Sequence, residues 1–138
     1  MFQSRDEVRL VYLKVWQKMQ NRLLLEPMEA LIADVIDSHP EYHDLLADSD
    51  ETRQRDYSPD EGQTNPFLHM GMHIALREQA TSDRPAGVQP LYQKLSANMG
   101  RHGAEHAMME CLGEALWSAQ RNGQEPDMGA YLDCLKKL

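Results

Sequence analysis

Phe67-Leu68-His69-Met70-Gly71-Met72-His73-Ile74-Ala75-Leu76 is apolar except for two imidazoles. At about 100° per residue these side chains run right around a helix, and a helix apolar on every side is normally buried. Asn65-Pro66 stands just ahead of it, a capping residue followed by the residue that best fits a first helical position. The stretch therefore predicts a long helix from Pro66 to about Ala80 at the centre of the fold. Its two histidines are the polar groups for which that interior must find partners.

Working outward, helix signals recur and no apolar–polar alternation lasts long enough for a strand. A first helix is expected from about Asp6 to Leu25, with Asp6 and Glu7 in its first turn. A second opens at Pro27. Pro40 breaks it and starts a short one through Ala47. Residues 48–64 are polar and mostly acidic and predict one long loop. Beyond the central helix, Pro90 to Met99 reads as a helix closed by Gly100, Gly103 to Arg121 as another, and Pro126 as the start of the last. The expectation is an all-α, compact bundle of five to six helices in a single domain covering residues 1–138.

The chain has 138 residues, enough for a continuous core, and 41% of them are hydrophobic, which argues against wholesale disorder. Its 22 acidic and 14 basic residues give a formal net charge of −8. No Lys/Arg cluster offsets that charge, so nucleic acid is not an expected partner. No apolar run is long enough to cross a bilayer, and the polar residues from Gln3 onward do not read as a secretory leader. A cytoplasmic location follows as an expectation, and with it two reduced, buried thiols at Cys111 and Cys134 in preference to a disulfide between them. Phosphate-cradling glycine loops, nucleophile elbows and Cys-x-x-Cys pairs are absent from the sequence.

The six histidines fall into three pairs, each four residues apart: His39/His43, His69/His73 and His102/His106. That spacing puts both rings on nearly one face of a helix, within reach of one ion. His69/His73 carries the strongest argument, since a buried imidazole is disfavoured in its charged form and the neutral form is the one that binds metal. Along the helix from about Gly103 to Arg121, and from His102 just ahead of it, His102, His106, Glu110 and Glu114 follow at four-residue steps, and packed antiparallel to the central helix they would add imidazole and carboxylate donors. His39, just outside the Pro40 turn, reads as its cap, with its ring and that of His43 free to join a site. Tyr42, Glu105 and Glu78 are outer candidates. The nine methionines read as core or interface filler.

Three motifs taken together resemble a small bacterial family of unknown function. They are His39-Pro40-Glu41-Tyr42-His43, then Asn65-Pro66-Phe67-Leu68-His69 with His73 and Glu78-Gln79, then His106 with Met109-Glu110-Cys111-Leu112 and Trp117. The resemblance implies a short, stand-alone cytosolic protein and brings no known reaction. A looser similarity is to hemerythrin-type helical bundles, whose His-x-x-x-His and His-x-x-x-Glu segments bind two irons. His69/His73 and His106/Glu110 match such segments, although their order along the chain differs.

These observations predict a metal-binding helical protein with His69, His73, His106 and Glu110 as ligands and His39, His43, His102 or Glu114 completing or supporting the shell. Mixed imidazole and carboxylate donors suit iron, zinc or manganese. An open coordination position would permit Lewis-acid work, or oxygen chemistry on iron, so the residues leave open whether the protein is an enzyme. The alternative is a non-enzymatic interaction module with a hydrogen-bonded histidine core and methionine-rich faces for a protein partner or a second copy. A pH-responsive fold is a third reading of six histidines.

Overall fold

The computed structural model describes residues 5–47 and 65–138. The acidic stretch 48–64 lies outside the described residues, as does the extreme N-terminus. Every regular element among those described is helical: α1 (Arg5–Gln20), α2 (Pro27–Asp37), a 3-10 turn (Pro40–Tyr42), α3 (His43–Ala47), α4 (Pro66–Ser82), α5 (Val88–Met99), α6 (Arg101–Asn122) and α7 (Met128–Lys136). The all-α class is thus observed, with seven α-helices where five or six were expected; the short α3 accounts for part of the difference. The chain divides into two compact units, Met1–Ile74 and Ala75–Leu138, and the division falls inside α4.

In the first unit α1, α2, α3 and the start of α4 enclose a core of Tyr12, Leu13, Val15, Ile32, Val35, Ile36, Leu46, Phe67 and Met70. Helix α1 ends at Gln20, short of the expected Leu25. The chain leaves the helix through Arg22 at φ 54°, with Leu23 N–H reaching back to the Lys18 carbonyl. Leu23 and Leu24, read as part of an apolar face, are exposed. Glu26 then caps α2 in a reciprocal box with Glu29, whose carboxylate also holds the Lys18 ammonium at 2.7 Å. That ammonium, with the Glu26 backbone N–H, keeps the Glu29 carboxyl below its ordinary range. Helix α4 starts as expected: Asn65 Oδ1 accepts from the backbone N–H groups of Phe67 and Leu68. Tyr12 and the guanidinium of Arg9 both pack on the Phe67 ring.

Of the central apolar stretch, Met70, His73 and Leu76 are fully buried, whereas Leu68 is exposed. An apolar circumference thus overstates the burial: one side of α4 is wholly covered, and the rest only in part.

In the second unit α5, α6 and α7 pack together around Val88, Leu95, Ala104, Met108, Leu112, Tyr131 and Leu135. Helix α5 starts at Val88, earlier than Pro90, after Gly87 turns the chain at φ 98°. Such a positive φ favours glycine. Helix α7 starts at Met128 rather than Pro126, because Asp127 is its cap and accepts from Ala130 N–H. Arg77 and Glu105 form a buried ion pair (3.0 Å), and the Tyr92 hydroxyl donates to the same carboxylate. Burial first, and then that carboxylate, raise the Tyr92 phenol above its ordinary pKa. Burial pushes the Tyr131 phenol up to about 12, against the opposing effect of its 2.7 Å hydrogen bond to Gln79.

The expected reduced thiols are instead a disulfide: Cys111 on α6 is bonded to Cys134 on α7, their Cα atoms 5.8 Å apart. Each cysteine sits in an apolar helical pattern that is equally compatible with a lone buried thiol. The packing of α7 on α6 brings them together, and spacing along the chain does not encode that packing. Closing a loop of 23 residues removes conformational freedom from the unfolded chain. Reduction, or Cys134→Ser, is therefore expected to lower unfolding free energy by about 3 kcal/mol in denaturant titrations. An unchanged midpoint would show that the bridge contributes nothing.

Candidate metal centre

Helix α2 ends where Pro40 forbids its continuation. The chain folds instead into a 3-10 turn, closed by Tyr42 N–H donating to the His39 carbonyl at 3.0 Å. His39 occupies the capping position as expected, but its side chain makes no capping bond. Its Nδ1 lies 2.7 Å from the Val35 carbonyl oxygen. A carbonyl only accepts, so Nδ1 carries the proton and Nε2 bears the lone pair of the neutral ring. His39 is 1% exposed.

His69 and His73 stand one helical turn apart on α4, their Nε2 atoms 3.3 Å from each other. The three rings form one cluster, with centroids 5.2 Å apart for His39 and His69, 4.7 Å for His39 and His73, and 4.9 Å for His69 and His73. One ring nitrogen from each lies within 4.8 Å of the others, a grouping that could hold a metal ion. His73 is fully buried and His69 partly so. Tyr42 flanks the cluster: its ring stacks parallel to His39 at 5.5 Å and stands edge-on to His69 at 6.4 Å. Burial first, and then the neighbouring Glu41 carboxylate, raise its phenol above the ordinary pKa.

The 3.3 Å separation is the informative distance. Two ligands at about 2.0–2.1 Å from a tetrahedral ion lie about 3.3 Å apart, which follows from the bond length and the tetrahedral angle. A helix with histidines at i and i+4 reaches this spacing without distortion.

The other predicted residues are placed differently. His43 turns away: its Nε2 meets the Ile36 carbonyl at 2.9 Å, and its ring packs on Trp16. That position is structural, joining α3 to α2 and α1. His102 and His106 are exposed on α6, ring centroids 4.2 Å apart, as the i, i+4 spacing requires. Glu110 is exposed on the same helix, and Glu114 lines a groove beside the Cys111–Cys134 bridge. Glu78 is exposed. Glu105, an outer candidate, is fully buried in the ion pair with Arg77. Arg77 was not anticipated, although it continues the His69–His73 step by another four residues and so extends the same stripe of α4. Arg9, buried at 2% exposure, was also missed, and its position in an amphipathic helix offers no signal for it.

Over residues 4–137 the chain matches the family described as Domain of unknown function (DUF1841). It belongs to that family. No curated protein and no solved structure matches it. Among the described residues no helix is long and apolar enough to cross a membrane.

The hydrogen bonds fix opposite tautomers at the two ends of the Pro40 turn. Nitrogen-detected NMR of the metal-free protein is expected to show His39 protonated at Nδ1 and His43 at Nε2. An unprotonated His39 Nδ1 would contradict the Val35 contact.

Proposed function

We propose that this protein binds a divalent transition-metal ion through His39, His69 and His73. The observation that carries the reading is the 3.3 Å approach of the His69 and His73 Nε2 atoms, beside a third imidazole whose Nε2 is aimed by its Nδ1–H···O=C bond. A backbone carbonyl behind a ligating histidine is the usual device for orienting the ring and raising its basicity. The donor set is narrower than the one expected from sequence. Three imidazoles without a carboxylate suit zinc, iron, copper or nickel, whereas manganese favours oxygen ligands. Neutral ligands leave the ion its full charge, so a bound water or anion would be strongly polarised wherever a position is open.

The same contact supports a second reading. Without metal, 3.3 Å between ring nitrogens fits an N–H···N hydrogen bond, the basis of a structural histidine core in an interaction module. The two differ in protonation, because the hydrogen bond needs a proton on one Nε2 and the ion needs both lone pairs.

Elemental analysis of untagged protein separates them. The expected result is one zinc, iron, copper or nickel ion per chain, lost in the double variant His69→Ala/His73→Ala with helicity retained. A wild type without stoichiometric metal, or a double variant that keeps it, overturns the proposal.

A further inference from the structure

We infer that Tyr42 is the positioning residue of this centre, holding the His39 ring in its ligating orientation through the face of its own ring. The inference rests on the metal-binding reading above and concerns how the site is kept in shape.

His39 is the one donor of the first unit that does not sit on α4. It lies between two helical elements at φ −127° and ψ 66°, where no helix geometry fixes its side chain. The Nδ1–H bond to Val35 pins one atom of the ring, and the His69 and His73 rings meet it at steep angles rather than face on. Tyr42 stacks on its face. The backbone bond from Tyr42 N–H to the His39 carbonyl closes the 3-10 turn and holds the two residues side by side. The two ring planes are accordingly 5° from parallel. A flat, rigid neighbour on one face lets the imidazole slide little and tilt less, so Nε2 keeps its direction.

The same phenol ring stands at 79° to His69, so it borders two donors that come from different elements. His39 and His73 are wholly buried, while His69 and Tyr42 are only partly so. Tyr42 therefore also stands on the side from which solvent, or a competing chelator, would approach. Both roles need the aromatic ring and neither needs the hydroxyl. This separates a positioning role from direct ligation by phenolate.

The test uses the full chain and cobalt(II), whose visible d–d bands report the number and arrangement of ligands. Wild type, Tyr42→Phe, Tyr42→Ala and His69→Ala/His73→Ala are titrated with cobalt. Each complex is then challenged with EDTA, and each apo protein is checked for helicity and melting temperature. Tyr42→Phe is expected to keep the wild-type spectrum and affinity. Tyr42→Ala should bind about tenfold or more weakly, the range for loss of a residue that orients a ligand, with altered band intensities and faster release to EDTA while the apo fold is kept. A Tyr42→Ala protein with wild-type spectrum, affinity and release rate overturns the inference and leaves the metal-binding reading standing. Loss in Tyr42→Phe equal to that in Tyr42→Ala overturns it in favour of the hydroxyl. A wild type that takes up no cobalt overturns both.

Discussion

Burying an imidazole against apolar neighbours is costly unless both ring nitrogens find a partner, and in this protein two such rings, His39 and His73, are wholly withdrawn from water. Much of the first unit can be understood as the answer to that requirement. The last turn of α2 supplies the Val35 carbonyl, Pro40 forces the chain into a turn that delivers Tyr42, and the four-residue step on α4 sets His69 against His73. Each device is local, made within a few residues of the histidine it serves. Together they bring ring nitrogens of His39, His69 and His73 within 4.8 Å of one another, with the Nε2 atoms of His69 and His73 at 3.3 Å.

The second unit has a buried polar group of its own on α4. One turn beyond His73 the same face presents Arg77, whose guanidinium is buried with the Glu105 carboxylate. A buried ion pair rarely adds net stability over well-packed apolar residues, because both charges lose their hydration, but breaking it is strongly destabilising. The pair therefore constrains which side chains can stand on that face and how α4 meets α6 within the second unit. Tyr92 adds a hydroxyl to the carboxylate and ties α5 to the same point.

The helical class and most helix starts were legible in the sequence, because proline, asparagine and glycine act at the positions they occupy. Asn65-Pro66 opens α4 as it reads, and Gly100 and Gly123 stand where α5 and α6 end. What failed were features decided by partners distant in sequence. The end of α1 could not be seen in Leu23 and Leu24, whose apolar character is not matched by any burial. The disulfide between Cys111 and Cys134 depends on the packing of α7 against α6. The histidines divide along the same line. The spacing of His69 and His73 revealed their shared face, and Pro40 revealed that His39 leaves the helix. That His43 would bond to the Ile36 carbonyl depended on how α3 folds back on α2. Glu110, four residues from His106, is exposed as His106 is.

The central claim is that imidazoles from separate helices converge on one ion. X-ray absorption at the edge of the metal carried by purified protein measures this directly. The account predicts a first shell of nitrogen donors at about 2.0–2.1 Å, as expected for zinc–histidine bonds, with the outer-shell scattering of at least three imidazole rings. A shell of oxygen ligands alone, or scattering from no more than one ring, would contradict it.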